Sequence, residues 1–240
     1  MRGHLILWDI DNTLIDAGGL SHHLYGAVFA ELFGRELPQV APMAGRTDRA
    51  IILETLTCCG IDDPARHVAA FVAGLTTRAP EFGDRVRARG RVLPGAAEAL
   101  AAVAALAAAR PAADGPVVQS VLTGNIKPLA EVKLGALGLT GYLELGSGAY
   151  GDAHEVRAEL VHLARRAAGQ AHQADFGGTG TVLVGDTPLD VQAALATGAR
   201  VVAVATGQYS MAELAAAQPH VLLPDLADTG QVIAAISIGR

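Results

Sequence analysis

The 240-residue sequence is short of what a disulfide-stapled, nucleic-acid-binding or membrane-spanning chain requires. It has two cysteines, Cys58 and Cys59, and they are adjacent. Neighbouring residues rarely reach disulfide geometry, so no disulfide framework is expected and a reducing cytoplasm is the expected setting. Positive charge is also scarce. Lys and Arg number 18 against 24 Asp and Glu, giving a formal net charge of −6, and the only lysines are Lys127 and Lys133. Nucleic acid and anionic membrane surfaces both need a basic face, so neither is expected as principal partner. The longest apolar run, Ala99–Ala109, falls well short of the ~20 residues that span a bilayer. Before Asp9 there is Arg2 but no long apolar core, so a secretory signal is not expected. A phosphate-binding loop carrying Gly-Lys-Ser or Gly-Lys-Thr is missing. So is a glycine fingerprint between a first strand and its helix, because "GGTGTVLVGD" places its glycines ahead of a strand.

What is present is alternation. The segments 4–9 ("HLILWD"), 117–124 ("VVQSVLTG"), 181–186 ("TVLVGD") and 199–207 ("ARVVAVATG") are short apolar runs ending in Asp, Thr or Gly, as parallel strands buried on both faces do. Helix-period segments at 95–110, 126–138, 155–169 and 190–198 separate them. Strand alternating with helix predicts an α/β fold, a doubly wound parallel sheet with right-handed crossovers. "YLELGSGAY" (142–150) reads as a further strand and "HVLLPDL" (220–226) as an edge, while 109–116 and 169–180 read as loops. Residues 18–92 break the rhythm and read as consecutive helices. The expected organisation is therefore a core of 1–17 and 93–240 with an inserted all-helical domain over 18–92.

In an open parallel sheet, ligands bind beyond the carboxyl ends of the strands at the switch in strand order. Those ends carry Asp9 with Asp11, Thr123, and Asp186 with Asp190. Side chains two apart share a face of a strand, so Asp9 and Asp11 are expected side by side. Two buried carboxylates repel, and a divalent cation resolves the conflict. A hard ion such as Mg²⁺, which takes carboxylates, water and phosphate oxygens, suits Asp9, Asp186 and a backbone carbonyl near Asp11. As isolated residues these aspartates would read as helix caps; three strand ends at once read as a site.

These residues resemble a known family. "DIDNT" is similar to the DxDx[TV] signature of haloacid dehalogenase-like hydrolases, "VLTGN" to its second motif, and "VGDTPLD" to its fourth, GDxxxD. The order fits over essentially the whole chain, with the helical insertion where the family's class 1 cap sits. The resemblance implies a Rossmann-like core and a Mg²⁺-dependent phosphatase, close to the phosphoglycolate phosphatase-like branch, acting on a small-molecule phosphate ester. It implies that Asp9 is the nucleophile and Asp11 the general acid and then base. Thr123, with the NH groups of Gly124 and Asn125, is implied to bind phosphoryl oxygens at a helix N-terminus. For the family's cation, Arg157 and Lys133 compete. Asp190 is implied to support the metal's waters or orient that cation, and it also reads as an N-cap. Asn12 falls inside the first motif and joins the substrate-binding candidates.

Asp11 argues against halide displacement, which needs no proton donor. A phosphonatase requires a cap lysine, and both lysines lie in the core. A phosphomutase resembling β-phosphoglucomutase is the alternative, because His22 and His23 lie near where that branch places a hinge histidine. "AGRTDRA" (44–50) resembles the cap segment that reads the leaving group, so Arg46, Thr47 and Asp48 are specificity candidates; Thr47 and Asp48 equally fit a helix start. His67 and the arginines from Arg78 to Arg91 read as solvated positions. A receiver-type module would lack the insertion and the Asp-x-Asp pair. A non-catalytic family member that binds a phosphorylated ligand or a partner protein is the remaining alternative, and a monomer or homodimer is expected.

Overall fold

The fold comes from a computed structural model that describes residues 1–236, so the last four residues of the expected core lie outside the described residues. The chain runs β1 (His4–Trp8), β2 (Ile15–Asp16), α1 (Ser21–Phe33), α2 (Asp48–Cys58), α3 (Pro64–Arg89), β3 (Arg91–Val92), α4 (Ala96–Ala109), β4 (Val117–Val121) and α5 (Lys127–Ala136). It continues through α6 (Arg157–His172), β5 (Thr181–Gly185), α7 (Pro188–Ala196), β6 (Arg200–Val204), α8 (Met211–Ala216), β7 (Val221–Leu223) and α9 (Thr229–Ile236). Five strands form one parallel sheet in the order β4-β1-β5-β6-β7.

The apolar runs explain the two-sided burial. Leu5 and Leu7 of β1 pack with Leu160, Val161 and Ala164 of α6 and Val191 of α7, whereas Ile6 and Trp8 pack with Leu100 of α4, Leu134 of α5 and Val232 of α9. Alternate side chains thus feed opposite helical layers, which is the α/β doubly wound arrangement. β1 sits between β4 and β5, with Trp8 level with both Val121 and Val184. The strand order reverses there, so the residues that follow these three strands open into one crevice.

The helices α1, α2 and α3 lie between β2 and β3, which pair antiparallel through Ile15–Val92 and Asp16–Arg91. They share a third apolar cluster built on Tyr25, Phe29, Ile52, Phe71, Leu75 and Phe82, and Ile126 ahead of α5 and Leu129 within it belong to it as well. The helical insertion is therefore bonded to α5 by its own core. No described helix is long and apolar enough to cross a membrane.

Three expectations need correction. Residues 142–150 are not a strand but two 3-10 turns, Thr140–Tyr142 and Leu145–Ser147, joined to the sheet edge by a bridge between Leu122 and Ala149 and by the N–H of Glu144 donating to the carbonyl of Gln119 at 2.8 Å. Side chains of β4 take over the ladder's role: Gln119 Nε2 donates to the carbonyl of Tyr142 at 2.8 Å and Ser120 Oγ to that of Glu144 at 2.6 Å. Helix α7 begins two residues earlier than expected because Thr187, not Asp190, is its N-cap. Asp190 closes a capping box back onto Thr187, with Pro188 in the first turn. The expected loop 169–180 is also shorter, since α6 continues to His172.

Candidate active site

Asp9 follows β1 directly, its N–H donating to the carbonyl of Val184 at 2.9 Å. The chain then turns tightly: the carbonyl of Ile10 accepts from Leu14 at 2.9 Å and Ile15 at 3.0 Å, and Asn12 takes φ +59°, a conformation Asn tolerates. That turn brings Asp11 back over the strand end. Thr206 Oγ1 donates to the carbonyl of Asn12, pinning the turn to the loop after β6.

Asp9, Asp186 and Asp190 are buried and offer carboxylate oxygens within 4.8 Å of one another. Arg157, at the start of α6, reaches between them, with Nη2 at 3.0 Å from Asp9 Oδ1 and 2.6 Å from Asp190 Oδ1. Its remaining contacts are carbonyls, Gly45 at 3.3 Å and Leu122 at 3.4 Å, while its Nε has no partner. Burial works against the guanidinium's charge, but Asp190 and Asp9 outweigh it and raise its pKa above the ordinary value. Burial pushes Asp9 up to about 7, aided by Asp190 and Asp11 and opposed by Arg157. Burial and the charges of Asp9 and Asp190 push Asp186 up to about 8, against a hydrogen bond from Thr13 at 3.2 Å. Three carboxylates thus face one guanidinium, which leaves an excess of two negative charges whenever all three are ionised.

Thr123 follows β4 by two residues, fully buried, and its Oγ1 accepts from the N–H of Asn125 at 3.2 Å and from Asn125 Nδ2 at 2.7 Å. Gly124 is pressed against the insertion: a Cβ there would lie 1.9 Å from the carbonyl oxygen of Arg46, and its own carbonyl accepts from the N–H of Asp48 at 2.7 Å. No larger residue fits this crossing.

The two competing cations separate. Arg157 joins Asp9, whereas Lys133, 1% exposed, turns to Asp11, with Nζ 2.9 Å from Oδ1 and 2.7 Å from Oδ2, and 2.6 Å from Asn125 Oδ1. Lys133 forms no ion pair with Asp9. Asp11 likewise keeps its carboxylate outside the cluster of Asp9, Asp186 and Asp190. Asp190 has one oxygen on Thr187 and the other toward Arg157, the geometry of a residue that orients the cation.

Above these residues is a cavity of about 480 Å³. Asp9, Asp11, Thr123, Arg157 and Asp186 form its floor; Asn12, Gly124, Asn125, Arg46 and His22 line it too, among the apolar walls of Leu24, Met43, Ile51 and Leu129. Thr47 does not line it. Its hydroxyl is buried, accepting from the N–H of Ala50 and donating to the carbonyl of Glu155, so the helix-start reading is the correct one for Thr47. Of the histidine pair, His23 faces a small surface hollow instead.

Sequence reasoning missed three features. Asp48 does not read the cavity alone: Oδ1 accepts from Tyr25 at 2.6 Å and Oδ2 from the N–H of Ile126 at 2.8 Å, so an insertion residue bonds to the N-cap residue of a core helix. Burial raises its pKa to about 6 despite those bonds. Thr13 supports Asp186, and its place in "DIDNT" was the available signal. Gln208 and Tyr209, after β6, line the cavity with no motif to mark them.

A carboxylate-rich crevice at the switch point of a doubly wound sheet, roofed by helices inserted after the first strand, defines a Rossmann-like protein with acidic, oxygen-donor chemistry. The model of the haloacid dehalogenase-like hydrolase family matches residues 6–195, and the chain belongs to that family. Similar solved structures include a predicted phosphatase from Clostridium acetobutylicum, 16% identical over 98% of this chain and 100% of that one, with a TM-score of 0.65. A predicted phosphoglycolate phosphatase from Haemophilus somnus 129pt is 17% identical over 97% and 98%, with a TM-score of 0.60. A protein from Thermotoga maritima provisionally assigned as a beta-phosphoglucomutase is 18% identical over 96% and 98%, with a TM-score of 0.58. At these identities the likeness is one of fold. No curated protein matches the chain by sequence.

Proposed function

We propose that the chain is a Mg²⁺-dependent phosphatase that hydrolyses a small-molecule phosphomonoester through an aspartyl phosphate on Asp9. The observation that carries this reading is Asp9 at the switch point, buried beside Arg157 and Asp186 with Asp11 on the same crevice. A divalent cation fits the residues present, because the buried set is all hard oxygen donors and, when ionised, exceeds its one guanidinium by two negative charges. Asp9 and Asp186 would hold it, with Asp190 acting through Arg157. When bound, Mg²⁺ supplies the positive charge that keeps these carboxylates ionised and offsets their repulsion of a phosphate dianion.

The chain's own residues account for the remaining steps. Arg157 neutralises a phosphoryl oxygen and fixes Asp9 for in-line attack. A carboxylate oxygen of Asp9 bonds to phosphorus while the phosphorus–ester oxygen bond breaks, and the leaving oxygen takes a proton from Asp11. Water then attacks the same phosphorus, giving its proton to Asp11, and the acyl–phosphate bond breaks to release inorganic phosphate and free Asp9. Thr123 binds a phosphoryl oxygen from the far side, and the insertion's wall of Leu24, Met43 and Ile51 selects a compact leaving group. Turnover of p-nitrophenyl phosphate with Mg²⁺, measured beside Asp9→Asn, tests the reading; activity that survives the substitution unchanged refutes Asp9 as nucleophile.

His22 on the cavity wall favours one second reading, a phosphomutase. Formation of glucose 6-phosphate from β-glucose 1-phosphate supports it; only inorganic phosphate and glucose as products rule it out.

A further inference from the structure

We propose that Lys133 is the positioning residue for Asp11, holding the carboxylate of the proposed acid and base in one orientation from beneath and tying that orientation to the helical insertion. The inference rests on the phosphatase reading and assigns Lys133 a task separate from phosphate binding.

An ammonium has three donors and no acceptor, and burying it is costly unless all are paired. Lys133 is 1% exposed and finds three acceptors: both oxygens of Asp11 and Oδ1 of Asn125. Its hydrogen bonds are therefore used up inside the protein, leaving none for a phosphate. Asn125 closes the arrangement, since its Nδ2 donates to Asp11 Oδ2 at 2.7 Å and to Thr123 Oγ1 at 2.7 Å. Asp11 is consequently held through both oxygens by a rigid set, while its side chain remains 35% exposed toward the cavity. A carboxylate on a tight turn has rotamers that point it away from the leaving group, and this clamp removes them.

The clamp also touches the insertion. Lys133 Nζ lies 5.6 Å from the ring centroid of Phe82 on α3. One residue along, a Cβ at Gly83 would stand 3.1 Å from Val132 Cβ, so α3 and α5 meet with no space for slip. A helix of the insertion, α3, thus packs against the residue that aims the acid.

A positioning role predicts a loss that depends on the leaving group, which a role in folding alone does not. The full chain with Mg²⁺ would be assayed on aryl phosphates from 2,4-dinitrophenyl phosphate, whose leaving group departs without a proton, to phenyl phosphate, whose leaving group needs one. For Lys133→Met, kcat/KM on phenyl phosphate is expected to fall about 100-fold, and on dinitrophenyl phosphate less than about 3-fold, within the ~10²–10⁴ that proton transfer contributes. The inhibition constant of inorganic phosphate should stay within about 3-fold. Parallel losses on both esters, or no loss on either, overturn the proposal, and a phosphate inhibition constant raised tenfold or more assigns Lys133 to phosphate instead. If Lys133→Met does not fold, Lys133→Gln, which keeps a buried donor but loses the charge, must show the same divergence; parallel losses there overturn it equally. Wild-type protein without Asp9-dependent turnover of any ester overturns the phosphatase reading itself, an outcome distinct from failure of the clamp.

Discussion

The buried carboxylates make the metal-free protein sensitive to alkali. Asp9 is held at about 7 and Asp186 at about 8, against an ordinary value of 3.8, with burial the largest cause in both. A folded state that binds protons the unfolded chain releases loses stability as pH rises. The contribution is whole below about pH 4 and disappears as pH climbs through 7 to 8. Between pH 5.5 and 7, Asp9 alone removes about 2 kcal/mol, from roughly 1.4 kcal/mol for each pH unit over which only the folded state is protonated. Asp186 acts in the same direction and shares the charge, so Asp9 alone sets the lower bound. For a chain of this length 1 kcal/mol moves Tm by roughly 2–4 °C, so the metal-free protein should melt about 4–8 °C lower at pH 8 than at pH 5.5. Mg²⁺ should recover most of that loss at pH 8 and shift Tm far less at pH 5.5, where protons already occupy the site. Scanning calorimetry in EDTA and in Mg²⁺ across this range measures both effects. A metal-free Tm that is flat or rises toward pH 8, with no Mg²⁺ shift there, refutes the account of the acidic cluster.

Other perturbations separate the parts of the site. Arg157→Met leaves Asp9 and Asp190 buried without their partner and should cost about 3–5 kcal/mol of stability at pH 8 by denaturant titration, with turnover reduced more than about 100-fold. Tyr25→Phe removes the 2.6 Å bond to buried Asp48 and should cost about 1–3 kcal/mol, read as a lower urea midpoint at unchanged m-value. Gly124→Ala drives a methyl into the carbonyl of Arg46, 1.9 Å away, so the loop at 44–48 must move; thermal stability and turnover should fall together, and full activity at wild-type Tm would contradict the close crossing.

How much of this was legible depended on whether the determining contacts were local. β1, β4, β5 and β6 were readable because strands buried on both faces are continuous apolar runs, and their ends placed Asp9, Thr123 and Asp186 in one crevice. The stretch 142–150 misled because its apolar residues suit a strand, while the turns it forms are held by contacts distant in sequence, among them the side chains of Gln119 and Ser120. Arg157, at the family's usual distance after Thr123, and Lys133 competed on consecutive core helices, and only the tertiary packing gives one to Asp9 and the other to Asp11. Asp48 is the same lesson in another form, since a helix-start residue by spacing also accepts from the N–H of Ile126, the N-cap of α5, across the interface.

The central claim is that Asp9 becomes phosphorylated. An aspartyl phosphate is reduced by borohydride to homoserine, so protein quenched during turnover of a phosphomonoester, treated with borohydride and mapped by peptide mass spectrometry reports the nucleophile directly. The account predicts homoserine at position 9 and none at positions 11, 186 or 190. Conversion at another aspartate, or sustained turnover with residue 9 unmodified, would contradict it.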